Sequence, residues 1–266
     1  MQTVVIKYGG SVGGQQTDLL QEIAHASSYS MRVVVVHGGG PEITALLEKL
    51  GHTSTFLDGH RVTDETTLEA VEMVLCGRVG KRMVRILQGL GAKAVSVSGE
   101  DGFMIKAAPY GDDDVLGYVG RVDQVDVSLL DVLLDAGYIP VVAPLGVDAM
   151  GHVRNINADL VAGSIAGMLQ ADAFVLATDV AGVKQRQNDD VAVPLLSMQQ
   201  AKAWIQEGVI TGGMIPKVTA ALDALKWGAK SAHIVDARQK GLFAALQADK
   251  AFGTQIVVAT KEGMSS

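Results

Sequence analysis

Four consecutive valines at positions 33–36 run directly into His37-Gly38-Gly39-Gly40-Pro41, and this junction constrains the fold more than any other stretch of the chain. Neighbouring residues of a strand point to opposite sides, so apolar side chains at successive positions suit a strand covered on both faces. Pro41 suits the first turn of a helix, and Ile43, Leu46, Leu47 and Leu50 then recur at helical spacing until Gly51 closes the segment. The local unit is therefore strand, glycine loop, helix.

That alternation repeats along the chain. Apolar or β-branched runs at 3–6, 94–97, 139–143, 173–177, 231–235 and 255–258 are separated by amphipathic helical stretches. The pattern predicts an α/β fold, a three-layer αβα sandwich around a mainly parallel open sheet. Thr66 with Glu69 and Ser197 with Gln200 have the spacing of capping boxes. Only 103–125 breaks the alternation; its Tyr110-Gly111, aspartates, Gly117 and Gly120 read as hairpins and a candidate lid. Repeats and linkers are absent from the sequence, and residues after 260 are expected to fray.

A chain of 266 residues, 48% hydrophobic, can bury one large core or two lobes around a cleft. Its net charge of -7 repels polyanions, which disfavours nucleic acid as a partner. An anionic ligand would have to be met locally by a few lysines, arginines and backbone N–H groups. The single cysteine, Cys76, reads as a small buried side chain. No signal peptide opens the chain, and no run approaches the roughly twenty apolar residues of a membrane span, so a cytoplasmic protein without a membrane partner is expected.

Four clusters fall where open α/β sheets place ligands, at strand ends and helix starts. Lys7-Tyr8-Gly9-Gly10-Ser11 follows the first strand, combining a point charge with glycines that let backbone approach a phosphate, although a structural turn with a solvated lysine explains it as well. His37-Gly38-Gly39-Gly40-Pro41 feeds a helix N-terminus with three glycines, as an anion pocket of backbone N–H groups would. Neither fits GxxxxGK[ST] or GxGxxG, so both familiar nucleotide motifs lose support. In Asp58-Gly59-His60-Arg61-Val62-Thr63-Asp64, Arg61 offers a fork for a carboxylate, while His60 lacks metal-ligand spacing and reads as surface. The fourth cluster is split between Asn155-Ile156-Asn157-Ala158-Asp159 and Gly212-Gly213-Met214-Ile215-Pro216-Lys217, each leading into a helix. Asp159 reads equally as a plain N-cap, but Lys217 lies against the positive end of a helix dipole, an unfavourable place unless an anion shares it.

Taken in order, these segments together with Thr178-Asp179-Val180-Ala181-Gly182-Val183 resemble the amino acid kinase family, in particular its branch acting on N-acetyl-L-glutamate in the second step of arginine biosynthesis. The resemblance implies the family's fold, ATP with Mg²⁺ as cofactor, and a cytoplasmic enzyme. It implies a single domain over 1–266 with an acyl-substrate lobe at about 1–170 and a nucleotide lobe at about 171–260. Lys7 and Lys217 would neutralise the transferring phosphoryl group, Asp159 would position both lysines, and Gly10 would lie near the phosphates. Gly39, Gly40, Arg61 and Asn155 would hold the acylated substrate. Asp179, Val180, Ala181, Gly182, Val183 and Lys184, with Val209, Ile210 and Thr211, would line the ATP site, and magnesium would ride on the nucleotide phosphates instead of on protein ligands. His60 stands where relatives often carry Leu.

The chemistry agrees. A glutamate side-chain carboxylate, with a reference pKa of about 4.3, attacks a phosphate without a protein base, so the lack of a convincing His or Asp base is expected. Two other readings share these residues: a kinase of the same family acting on aminoadipate or glutamate attached to a carrier protein, and a non-catalytic nucleotide or amino-acid sensor. Retention of both lysines speaks against the sensor. Arginine-inhibited hexameric relatives carry a helix ahead of the first strand, whereas here the strand begins by Thr3, so an arginine-insensitive homodimer is expected.

Overall fold

The structure, a computed structural model, describes residues 1–9, 17–57, 59–111, 114–186, 189, 191–250 and 252–258. Its strands are β1 Gln2–Tyr8, β2 Met31–His37, β3 Phe56–Leu57, β4 His60–Arg61, β5 Ala94–Ser98, β6 Ile105–Pro109, β7 Val119–Val125, β8 Ile139–Ala143, β9 Leu145–Val147, β10 Val153–Ile156, β11 Ala173–Thr178, β12 Leu195–Ser197, β13 Ala232–Asp236 and β14 Thr254–Val257. The α-helices are α1 Thr17–Ala24, α2 Gly40–Lys49, α3 Glu65–Glu72, α4 Gly80–Gly89, α5 Ser128–Asp135, α6 Ala158–Met168, α7 Met198–Gln206, α8 Met214–Lys226 and α9 Leu242–Gln247. A π-helical stretch, Met73–Val79, joins α3 to α4. All seven strands read from the sequence are present, with ends within two residues of those expected.

The chain divides into two compact units, one comprising Met1–Gly9, Gln15–Val33 and Ala162–Ser266, the other Gly10–Gly14 and Val34–Val161. The division passes through β2 and α6, and it differs from a contiguous split at 170 because β1 pairs with β11.

In the first unit, β1 runs parallel to β11 and β11 parallel to β13; β13 pairs antiparallel with β14, which is parallel to β12. Every residue of β11 is buried, as its uninterrupted apolar run requires of a strand covered on both faces. Helix α8 packs on β11, β13 and β14. It also packs against α7 and, closely, against α6: a Cβ at Gly163 would stand 2.7 Å from the Ala220 carbonyl oxygen, and one at Gly167 would stand 2.5 Å from Trp227 Cβ and 3.2 Å from the Ala224 carbonyl oxygen. Contacts that advance together along both helices mean that this part of α6 and α8 run parallel.

In the second unit, β2, β8 and β5 form a parallel set. Residues 103–125 do form a hairpin, β6 with β7, but β9 and β10 close it into a four-stranded barrel. The hairpin is also fastened at its tip, where Thr63 bridges Gly117. A lid made of the whole segment would have to break these ladders and the bridge at the tip.

Two local details differ from expectation. The cap of α3 is Asp64, whose carboxylate accepts the Thr67 N–H at 2.8 Å, so Thr66 lies inside the helix; the carboxylate wins because Asp64 has the extended backbone a cap needs. Ser197 caps α7 as expected, accepting the Gln200 N–H at 3.1 Å. Cys76 is half-buried, and burial pushes its thiol up to about 11, which leaves it protonated and unreactive at neutral pH.

Candidate active site

The second unit gathers the residues expected to hold an acyl substrate. Gly39 is the residue before α2 and Gly40 its first, with Pro41 in the opening turn. Arg61 is buried, and its Nη2 donates to the Gly40 carbonyl at 3.0 Å and to Thr44 Oγ1 at 2.8 Å. Its Nη1 donates to Ser54 Oγ, and the guanidinium lies 4.7 Å from the centre of the Phe56 ring. Burial lowers the Arg61 pKa, yet a guanidinium still stays charged at neutral pH. Three of its five N–H groups are thus committed to the protein among the described residues, and two remain for a ligand.

Asn155 joins the same group. Its Nδ2 donates to Thr63 Oγ1, and Thr63 Oγ1 donates to the Arg61 carbonyl. The strand bearing Asn155 and the strand bearing Arg61 are therefore linked through a fully buried hydroxyl. The next residue toward the N-terminus, Arg154, fixes the hairpin tip from outside: it pairs with Asp148 at 2.7 Å and donates to the Gly117 carbonyl at 3.1 Å. Gly117, at φ 62, presses on the Thr63 carbonyl, where any Cβ would collide. His60, read as surface, is half-buried with its ring 4.2 Å from Tyr110.

The first unit gathers the residues expected to hold a nucleotide. The chain turns at Gly9 so close to the end of β11 that a Cβ there would stand 2.7 Å from the Ala177 carbonyl oxygen and 3.5 Å from Lys7 Nζ. The Lys7 ammonium is thereby placed at the carboxyl end of β1, beside the end of β11, from which Asp179, Val180, Ala181, Gly182, Val183 and Lys184 continue. Helix α8 leads into β13 at that strand's amino end, so its own first turn, with Lys217, opens at the carboxyl end of the sheet. The helix begins four residues earlier than the run of apolar positions suggests, and Lys217 sits in its fourth position. Val209 and Ile210 are tied by their N–H groups to the Trp204 carbonyl, and the Thr211 carbonyl accepts from Met214 as α8 begins. Gly10, Ser11 and Asp58 lie outside the described residues.

The choice between an N-cap and another role for Asp159 is decided by its neighbour. Asn157 Oδ1 accepts the Asp159 N–H at 2.8 Å and the Leu160 N–H at 3.4 Å, so Asn157 caps α6. The Asp159 carboxylate is buried in the first turn of α6. Thr44, Ser54 and Arg154 were not legible as site residues, since a hydroxyl on a helix and one in a loop carry no spacing signal; only the alternation of Arg154 with Ile156 along an extended stretch hinted at its side.

Comparison with known proteins places this geometry in context. The sequence matches the amino acid kinase family over residues 2–236. An acetylglutamate kinase of Thermoanaerobacter pseudethanolicus is 41% identical over 260 residues, covering 96% of this chain and 87% of the relative. One from Moorella thermoacetica is 43% identical over 270 residues, covering 96% and 91%. Among solved structures, smu.665 from Streptococcus mutans UA159 superposes with a TM-score of 0.79 at 30% identity, covering 97% of this chain and 99% of that one.

Proposed function

The chain belongs to the amino acid kinase family, and from that premise we infer that it transfers the γ-phosphoryl group of ATP to the side-chain carboxylate of N-acetyl-L-glutamate, giving N-acetylglutamyl 5-phosphate and ADP in arginine biosynthesis. The observation that supports the site assignment is that the Lys7 ammonium lies beside the end of β11, which leads into 179–184, and that the first turn of α8, which bears Lys217, opens at the same end of the sheet.

The reaction needs little proton chemistry. The acceptor carboxylate is already ionised at neutral pH, so the obstacle is the repulsion between two anions and their alignment. The Lys7 and Lys217 ammonium groups stabilise charge on the transferring phosphoryl group, and Asp159 keeps them oriented. The segments 179–184 and 209–211 hold the nucleotide. Gly39 and Gly40 offer N–H groups at the start of α2, while the two remaining N–H donors of Arg61 and the Asn155 amide hold the acylated substrate. The donor set is one of lysines, glycines and backbone amides, which fits a Mg²⁺ ion that arrives on the nucleotide and supplies charge neutralisation there. A cytoplasmic homodimer completes the proposal; among the described residues no helix is long and apolar enough to cross a membrane.

The test is trapping of the acyl phosphate with hydroxylamine, with N-acetylglutamate, glutamate and aspartate compared side by side. Hydroxamate should form with N-acetylglutamate and ATP together and fall at least a hundredfold with the other two. Equal yields would overturn the acceptor assignment. Light scattering should give twice the chain mass.

A further inference from the structure

Thr254 opens the last strand and is fully buried. Its hydroxyl accepts the Val183 N–H at 2.8 Å and donates to the Val193 carbonyl at 2.6 Å, while the Val193 N–H donates to the Val183 carbonyl at 2.8 Å. One side chain of the last strand therefore ties the two sides of a loop neck 71 and 61 residues away in sequence. Gly182 is fitted beneath it at φ 145, where a Cβ would strike Thr254 Oγ1. The neck directly adjoins 179–182, and on its other side Arg238, paired with Asp236 at 2.7 Å, donates from Nη2 to the Asp179 carbonyl at 2.9 Å.

We propose that Thr254 is a positioning residue for the nucleotide: by clamping Val183 to Val193 it fixes the backbone of 179–184 in the shape that receives ATP. The proposal rests on the reading of 179–184 as nucleotide contacts given above. Its physical basis is that the Val183 N–H is buried and has no other acceptor once the hydroxyl is removed, so the neck must open to rehydrate it.

Thr254→Val replaces the hydroxyl by a methyl at nearly constant volume. The KM for ATP should rise about tenfold, the size expected for a lost buried hydrogen bond, with the KM for N-acetylglutamate unchanged. Thr254→Ser, which keeps both hydrogen bonds, should restore the ATP KM to within about twofold. Amide hydrogen exchange at Val183 in the nucleotide-free protein should quicken in the valine variant and return in the serine one. If the valine variant does not accumulate folded, Thr254→Ala carries the same readouts. Unchanged exchange and unchanged ATP KM would overturn the clamp; faster exchange with an unchanged ATP KM would overturn the assignment of 179–184 to the nucleotide, and the role of Thr254 with it.

Discussion

Asn155 Nδ2 lies 3.1 Å from Thr63 Oγ1, and the same hydroxyl donates to the Arg61 carbonyl at 2.7 Å. Because Thr63 is fully buried, the relay is shielded from water and each of its bonds holds the next. Thr63→Val leaves the Asn155 amide without its acceptor. The KM for N-acetylglutamate should rise roughly five- to tenfold, as for one lost buried hydrogen bond, with the ATP KM unchanged. Steady-state kinetics with each substrate varied in turn checks this, and Thr63→Ser should recover most of the loss.

Arg61→Lys tests whether a fork or merely a charge is needed. A lysine cannot reach the Gly40 carbonyl, Thr44 and Ser54 together while also meeting a ligand, and it gives up the planar contact with Phe56. The expected outcome is a KM for N-acetylglutamate raised by at least tenfold, nearly as far as in Arg61→Ala. A lysine variant with wild-type KM would show that positive charge alone suffices.

The sequence made the parallel strands readable because their apolar runs are unbroken, as β2 and β11 show, and glycine-rich turns marked where ligands could approach. What stayed hidden depends on distant pairing. The strand β9 has only three residues, and its contact of Val147 with Lys106 closes the barrel across 41 positions, so no local pattern marks it. A register shift, with Lys106 opposite Gln124 and Ala107 opposite Val122, leaves Asp123 as an extra residue and breaks the two-residue period of β7. The same limit applied at the site: Arg61 was visible as a candidate, but its anchors Thr44 and Ser54 were ordinary hydroxyl residues until the fold brought them to it. Asp159 read equally as the cap of α6 or as a functional carboxylate, and only the hydrogen bonds assign the cap to Asn157.

Lys217 stands in the first turn of α8, where the dipole is positive and an isolated ammonium is disfavoured. If its charge is needed most when the phosphoryl group is between donor and acceptor, Lys217→Ala should lower kcat by about two to four orders of magnitude while the Kd for ATP changes less than fivefold. Calorimetric titration of a non-hydrolysable ATP analogue, set beside kcat, separates the two. A parallel loss of affinity and rate would assign Lys217 to ground-state binding.

The parallel packing of α6 on α8 depends on small residues. At Gly163 a Cβ would meet the Ala220 carbonyl at 2.7 Å, a backbone atom that cannot swing aside, whereas at Gly89 nothing lies within 4 Å. Gly163→Ala should therefore cost about 1–3 kcal/mol, a fall in Tm of about 2–10 °C, although alanine is the better helix former. Gly89→Ala, on an exposed turn of α4, should leave Tm unchanged or slightly higher. Thermal denaturation of the two variants at one protein concentration provides the comparison.

His233 is buried in β13, with Nε2 3.0 Å from Ser231 Oγ, and burial lowers its pKa from 6.5 to about 4. The folded protein therefore holds it neutral while the unfolded chain protonates it near pH 6.5. The stability it contributes is whole above that pH and declines as the pH falls from 6.5 toward 4, after which both states are charged and the loss levels off. By pH 5 the loss from this residue is about 2 kcal/mol. Urea denaturation at pH 7.5 and pH 5 should show wild type losing more stability than His233→Gln by roughly that amount, since the amide cannot take up the proton. An equal loss in both would mean that His233 is protonated in the folded state, with a carboxylate such as Asp249, whose field acts on it, drawing in the charge.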